Sequence, residues 1–471
     1  EEVSTTKAAA IVEEVSTAKA AAIVEEVSTT KAAAIVEEVS TTKAAAIVEE
    51  VSTTKAAAIV EEVSTTKAAA IVEEVSTTKA AAIVEEVSTA KAAAILTVTT
   101  SEKAAAIVDG ITTTKAAEVV ANIPPAQAGA IIDKVSTTKA TSMVQIMPEA
   151  KLVERLPEAQ PETLFRIPVD VLFAALPSVP TEQLVAEVAP QPPPDLAMPT
   201  SVQLVDGAVR YRVPETRADA WAIMVGSPVP IDKVLGKFAR GVQDVGIRMQ
   251  DLGEKPTGLP SFPAEQIVSN YMRIVMENVA PEDIMSVHLS FYLEKEWIQA
   301  NGINKWSILF HRFDVDQGIW VSYQTKRVRE TDDRVFFTVA LPGLSTLAIT
   351  GSEELPAPKF QITDLVIRQP VIAEGEPLAL QATVTNLTQG DLTYPSTLWV
   401  NGGVEDSEDF AVPAGGSARI LYTVNKKMAS YAVRIDRLFV TVDRIFVTPW
   451  HDIQTPVVRG RVVQRDPDAQ Q

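Results

Sequence analysis

Hydrophobic and polar positions along the first 96 residues recur with a period of twelve. The phrase Glu1-Glu-Val-Ser-Thr-Thr-Lys-Ala-Ala-Ala-Ile-Val12 is written eight times, altered only by Ala at 18 and 90 and Leu at 96, and a decaying form continues through residues 97–144. At about 100° per residue, twelve residues overshoot whole helical turns by roughly 120°. One continuous helix would therefore scatter its Val and Ile over three faces, so the chain must break once per copy. Ser4 predicts an N-cap, and Ala8-Ala9-Ala10 carries the strongest helix propensity. In the resulting helix of about ten residues, Ala8, Ile11, Val12 and Val15 share one face at i, i+3, i+4, i+7. Thr6, Lys7, Ala10, Glu13 and Glu14 take the other. Pro125 and Pro161 fall at the position of Thr5, a first-turn site where proline is tolerated.

One copy buries too little to hold itself together, because short helices are marginal in water and each ordered residue costs about 1–2 kcal/mol. Stacked copies, an α-solenoid with one short helix per repeat, are the expected solution. Lys7 near the helix start and Glu13-Glu14 near its end both oppose their own helix dipole. Lys–Glu ladders between stacked copies are expected to offset this. Adjacent threonines every twelve residues also allow a β-coil of the ice-binding kind, against which the helix-forming Lys-Ala-Ala-Ala-Ile-Val-Glu-Glu run argues.

Residues 124–190 repeat the unit in diverged form (Pro-Pro-Ala-Gln-Ala-Gly-Ala-Ile-Ile; Met-Pro-Glu-Ala-Lys-Leu-Val-Glu-Arg-Leu) and are read as the cap of a solenoid spanning 1–190. These copies resemble the short-helix superhelix in the N-terminal domain of MgtE-type magnesium channels, through a loose Pro-Glu-x-x-Ala-x-x-Leu pattern. That resemblance implies shape and no metal function.

At Ala189-Pro-Gln-Pro-Pro-Pro-Asp the composition turns to a stiff linker, 191–200. Beyond it, alternating aromatic and β-branched residues predict antiparallel strands: Ala208-Val-Arg-Tyr-Arg-Val, Trp221-Ala-Ile-Met-Val, Tyr271-Met-Arg-Ile-Val-Met and Ser286-Val-His-Leu-Ser-Phe-Tyr-Leu. The fold class is thus multidomain α + β, a solenoid followed by two antiparallel sandwich-like domains at 201–355 and 356–450, with a tail at 451–471. Residues 227–351 resemble a PGF-pre-PGF domain in the order Gly253-Glu-Lys-Pro-Thr-Gly, Phe291-Tyr-Leu-Glu-Lys-Glu-Trp-Ile, Trp306-Ser-Ile-Leu-Phe-His-Arg-Phe and Leu341-Pro-Gly-Leu-Ser-Thr-Leu. Leu344 stands where that family usually has Phe. Residues 356–448 resemble a CARDB-type, immunoglobulin-like domain through Phe360-Gln-Ile-Thr-Asp-Leu-Val-Ile, Glu374-Gly-Glu-Pro-Leu-Ala-Leu, Leu398-Trp-Val-Asn-Gly-Gly and Val412-Pro-Ala-Gly-Gly-Ser. Both resemblances imply a prokaryotic surface protein.

Charge and chemistry narrow the function. Net charge is −19, of which −12 falls in residues 1–190 (15 basic against 27 acidic). That disfavours nucleic acid and anionic membranes as partners. Cysteine is absent, which removes disulfides and thiolate metal sites. No catalytic, cofactor-binding or metal-ligating residue is assigned, no cofactor is expected, and the chain is expected not to be an enzyme. His288, His311 and His451 are read as ordinary residues. Glu405-Asp-Ser-Glu-Asp409 and Glu330-Thr-Asp-Asp333 are read as solvated turns, with calcium as the rival reading. Asn386-Leu-Thr388 is a glycosylation sequon, and Trp320 and Trp399 are candidate glycan-facing aromatics. The expectation is an extracellular, non-enzymatic scaffold or adhesion protein whose solenoid is a spacer or stalk, with protein or glycan partners at the cell surface and possible self-association through the repeats. The alternatives are a polymer subunit stacking through the array and a glycan- or ice-binding surface protein.

Overall fold

The computed structural model describes residues 4–185, 197–205, 207–217, 221–225, 229–367, 371–373, 377–424, 431–446 and 457–464. Outside them lie His451, most of the proline-rich linker, and the Glu374-Gly-Glu turn. The chain divides into two compact units, Glu1–Pro177 and Ser178–Gln471.

In the first unit the helices keep step with the repeat: α1 Thr5–Glu14, α2 Thr17–Glu26, α3 Thr29–Glu38, α4 Thr41–Glu50, α5 Thr53–Glu62, α6 Thr65–Glu74, α7 Thr77–Glu86, α8 Thr89–Val98, α9 Ser101–Gly110 and α10 Thr113–Asn122. Diverged copies follow as α11 Pro125–Ile132, α12 Thr137–Ile146, α13 Glu149–Arg155, α14 Pro161–Leu164 and α15 Val169–Ala175. Two extended residues make each break, as at Val51 (φ −70°, ψ 163°) and Ser52 (φ −55°, ψ 149°). Ser52 then accepts a hydrogen bond from the Lys55 amide, the capping bond its residue type predicts. Pro125 and Pro161 are first helical residues. The array is helical, which excludes the ice-binding β-coil.

From α1 to α11 each helix packs on the second one after it, as α1 on α3, α2 on α4 and α3 on α5, and α12 packs on α15. A coil therefore holds two helices and two copies of the phrase. Ala44, Ala45, Ile47, Val48 and Val51 are buried in α4 and its cap, and the same five positions are buried in neighbouring copies. The buried face thus includes the second alanine, one more position than the sequence pattern indicated. Small residues set the spacing: a Cβ on Gly110 in α9 would stand 2.9 Å from the Ala81 Cβ in α7.

The expected Lys–Glu ladder is replaced by a different pairing. Glu13, at the end of α1, accepts from the backbone N–H (2.9 Å) and hydroxyl (2.6 Å) of Ser40, the N-cap of α4. Lys43, in the first turn of α4, donates to the Val15 carbonyl that ends α1. Both bonds recur copy after copy, through Glu85 with Thr112 and Lys115 with Val87 at 2.5 Å. Each charge opposes the dipole of its own helix; the glutamate favours that of the helix three further on and the lysine that of the helix three before. Ser40's hydroxyl and amide hold the Glu13 carboxyl below the usual carboxylate range, with Lys43 and Lys67 adding to the effect. The decayed copies respect the pairing. Where the carboxylate becomes Thr97 or Ala121, the N-cap 27 residues later becomes Pro124 or Pro148, which has no N–H to be satisfied. Where it persists as Asp109 or Asp133, a donor persists at Ser136 or Gln160.

The second unit opens with the short helix α16, Thr181–Leu184. Its first sandwich contains β1 Ser201–Val205, β2 Ala208–Glu215, β3 Trp221–Val225, β4 Ile231–Phe238, β5 Gln243–Asp251, β6 Ile267–Glu277, β7 Ile284–Glu294, helix α17 Lys295–Ala300, β8 Leu309–Asp314, β9 Ile319–Gln324, β10 Lys326–Glu330, β11 Arg334–Leu341 and β12 Thr346–Gly351. One sheet runs β1-β2-β5-β6-β12-β8-β9 and the other β10-β11-β7-β4-β3, all antiparallel. Phe291, Phe310 and Phe337 fill the space between them, with ring centroids 5.1 and 5.5 Å from Phe291.

The second sandwich contains β13 Phe360–Ile367, β14 Val371–Ala373, β15 Leu378–Asn386, β16 Leu392–Val400, β17 Gly403–Val412, β18 Ser417–Val424, β19 Tyr431–Ile435, β20 Leu438–Phe446 and β21 Val457–Gln464. Its sheets run β13-β15-β18 and β14-β21-β20-β19-β16-β17. Strict alternation buries every second residue of β15, from Leu378 to Asn386. Asn401 (φ 50°) and Gly402 (φ 77°) form the two-residue turn joining β16 to β17, the positive-φ pair such hairpins require.

The paired bonds make a double-mutant cycle informative. Ser88→Ala should lower array stability by about 1 kcal/mol, a usual capping loss. Glu61→Thr should cost a similar amount in the parent but less in the Ser88→Ala background, where the hydroxyl it accepts from is gone and only the backbone N–H of residue 88 remains. Urea unfolding followed by far-UV circular dichroism measures both, and additive losses would disprove the coupling.

Candidate functional site

The densest cluster of buried polar groups lies in the second unit, where its two sandwiches meet. Asp409 on β17 accepts from the Tyr323 hydroxyl (2.7 and 2.6 Å) and from the Arg312 guanidinium. Burial pushes Asp409 above the usual carboxylate range even so. Beside it Lys237 on β4 pairs with Glu405, and the Thr393 hydroxyl donates to Gln317 at 3.0 Å.

The segment Ser178–Val185 is fastened across the same junction. Gln183 donates to the Thr325 carbonyl at 2.7 Å and accepts from the Arg327 amide at 3.1 Å, where the chain passes from β9 at the edge of one sheet to β10 at the edge of the other. The Thr181 hydroxyl donates to Asp436, Arg437 donates at 2.5 Å to the Val179 carbonyl, and Lys326 donates to the Val185 carbonyl. Gln183 and Thr181 are buried. Sequence reasoning assigned this segment to the solenoid and could not see its partners, which lie more than 140 positions later.

A cavity of about 30 Å³ lies at this junction, lined by Glu182, His288, Gln324, Trp399 and Asp436 among others. That is roughly the volume of a single water molecule, far below the several hundred Å³ of a small-molecule site. The arrangement can lock two sandwiches together and has no room for a substrate.

The residues singled out in the sequence are dispersed. His288 lies on β7 in one sheet and His311 on β8 in the other. His311 is bracketed by the hydroxyls of Ser322 (3.0 Å) and Thr350 (2.7 Å) and covered by the Phe262 ring at 4.4 Å. Burial, with Lys233 nearby, lowers His288 to about 4, and burial, with Lys359, lowers His311 to about 3.

The Glu405–Asp409 stretch is part of strand β17, not a loop, so its carboxylates alternate between faces. Glu330 is buried against Lys295, Lys305 and Arg327 at 2.7–3.1 Å. Burial alone would raise it, but Lys305 and Arg327 outweigh that and hold it below the usual range. Among the described residues no group of three or more His, Asp or Glu could hold a metal ion. The reading of both clusters as solvated turns is therefore corrected: basic partners engage Glu405, Asp409 and Glu330.

Asn386 is corrected as well. It is 1% exposed, and its amide donates to the carbonyls of Gly390 (2.8 Å) and Val412 (3.0 Å), so the sequon is a loop clasp. Trp399 is buried beneath the Arg434 guanidinium, 5.0 Å from the ring centroid. Trp320 is half-buried, donates to the Pro260 carbonyl at 2.9 Å and packs on Phe262 at 5.0 Å. Both rings anchor structure and present no open platform for a sugar.

On the array, the first glutamate of each phrase from Glu13 to Glu85 is engaged in capping. The second, as in Glu50, Glu62 and Glu74, is exposed. No helix among the described residues is long and apolar enough to cross a membrane.

Compared with known families, residues 3–95 and 75–167 match the model of the MgtE intracellular N domain. The helical array is thus similar to that domain over both stretches. Neither a PGF-pre-PGF nor a CARDB model matches the β sandwiches. No curated protein matches the chain in sequence. The match overturns the expectation of an extracellular adhesion protein and its polymer, glycan- and ice-binding alternatives, because the similar domain is intracellular by description. The surface reading rested on the PGF-pre-PGF and CARDB resemblances, which no family model supports; the alternating strands themselves are those of any antiparallel sandwich and carry no information on location.

Two outcomes follow for the second unit. His288 and His311 are neutral when folded, so the unfolded chain binds more protons than the native one below about pH 6.5. Stability should be full above pH 6.5 and fall as the pH drops towards 4, by about 2 kcal/mol per histidine at pH 5. Urea unfolding monitored by tryptophan fluorescence tests this, since all six tryptophans lie beyond residue 220; equal midpoints at pH 7 and 5 would refute it. By the same assay Asp409→Ala, which strands a largely buried Arg312, should cost about 2–4 kcal/mol.

Proposed function

We propose that the protein is a non-enzymatic docking protein working inside the cell, with the helical array as its recognition surface. The similarity of residues 3–95 and 75–167 to the MgtE intracellular N domain carries this reading. Physically, a stack of two-helix coils offers long, regular surfaces that suit extended partners. Its exposed glutamates favour another protein over nucleic acid or an anionic membrane. The two sandwiches, fastened by buried polar bonds, serve as a rigid body. Magnesium handling is not carried over, because the array's carboxylates do not converge: one of each pair caps a helix and the other stands alone at twelve-residue intervals.

The test places a photo-crosslinking residue at Glu50 or Glu74 of the full chain in its own host cells, with Glu254 as a control. Discrete protein adducts are expected from the array positions and not from Glu254, with the chain protected from protease added to intact cells. Failure to form adducts from the array, or cleavage of the chain on intact cells, would reject the reading.

A further inference from the structure

Three buried polar atoms of the second unit belong to side chains that line one small space between its sandwiches. Among the described residues, His288 Nδ1 on β7, Gln324 Oε1 on β9 and Trp399 Nε1 on β16 have no hydrogen-bond partner from the protein. All three residues line the cavity of about 30 Å³, and His288 and Trp399 are only 2% and 6% exposed. A buried polar atom left without a partner is costly, and native interiors rarely tolerate one. The charged residues around the same space are already engaged. Asp436 accepts from the Thr181 hydroxyl, Lys326 donates to the Val185 carbonyl, and Glu182 lies 3.9 Å from the Arg434 guanidinium. What remains is one donor, the indole N–H, one acceptor, the amide oxygen, and an imidazole nitrogen that serves as either in the neutral ring.

We propose that this cavity is a binding site for one ordered water molecule, which accepts from the Trp399 indole N–H, donates to the Gln324 amide oxygen and bonds to His288 Nδ1. The volume suits a single water, and about three polar partners is the usual number for a buried one. Other small guests fit the chemistry less well. A halide would accept from Trp399 but would face the Gln324 oxygen and the carboxylates of Glu182 and Asp436. A metal cation would suit those oxygens but would meet the indole N–H and the Lys326 ammonium. Only a neutral molecule that both donates and accepts satisfies all three groups, and such a bridge is nearly as good as a direct hydrogen bond. His288 and Gln324 stand on opposite sheets of the first sandwich and Trp399 on a sheet of the second. The water thus ties three sheets at one point, beside the apolar contact of Ala340 with Trp399. This site is independent of the docking role of the array.

A crystal structure of the 471-residue chain at a resolution that shows ordered water tests the site directly, with parallel soaks in bromide and rubidium salts. One peak is expected within hydrogen-bond distance of His288 Nδ1, Gln324 Oε1 and Trp399 Nε1, with no anomalous signal in either soak. A cavity without density, or an anomalous peak from bromide or rubidium there, overturns the proposal. In solution, Gln324→Met keeps the side-chain length and removes one acceptor from the water, so the urea midpoint read by tryptophan fluorescence should fall. In a dry cavity the same change would remove an unpaired buried oxygen and leave the midpoint unchanged or higher, which also overturns the proposal. Far-UV circular dichroism of the variant, expected to match the parent's, shows that the comparison is between folded chains.

Discussion

The array depends on an exchange of charges between helices three apart. Taken alone, each helix carries its lysine and glutamates at the wrong ends for its dipole. In the stack, Glu13 completes the N-terminus of α4 and Lys43 completes the C-terminus of α1. The same two side chains thereby satisfy orphaned backbone groups and direct opposite charges to opposite dipole ends. Apolar packing between α1 and α3 supplies cohesion, whereas the cap exchange fixes register, since a slip of one residue would break every bond along the row at once.

The second unit solves a different problem with similar means. Two sandwiches with separate cores meet through polar side chains set around a small apolar cluster of Ala340, Trp399 and Val404. Asp409, Arg312 and Tyr323 form one tie, and Gln183 forms another by bonding backbone groups at the start of edge strand β10. Buried polar ties of this kind are directional, so they specify a single relative placement where an oily contact would tolerate several. The cost is sensitivity: removing one partner leaves the other buried and unsatisfied.

Much of the array was legible because its determinants are local. The break at Val15 and Ser16, the cap at Ser4 and the prolines at first helical positions all follow from neighbouring residues. The dipole conflict was legible too, but its resolution was not, because nothing local says that Glu13 faces Ser40. A signal was nevertheless present: the losses at Thr97 and Ala121 coincide with Pro124 and Pro148, each 27 residues on. In the β domains the alternation of Leu378–Asn386 announced a strand, while the Glu405–Asp409 run looked like a solvated loop. It is a strand whose carboxylates meet cations from Arg312 and Lys237, residues that no short window contains.

The sequence alone determined the helix length, the one helix per phrase, the positions of caps and turns, and the presence of antiparallel sheets, since each rests on propensity and periodicity within about a dozen residues. Tertiary structure decided which helix each charge serves, the insertion of β12 between β6 and β8, and the fastening of Ser178–Val185 to residues far along the chain. Those are long-range choices among many pairings of similar local merit, and only simultaneous packing of the whole unit selects one.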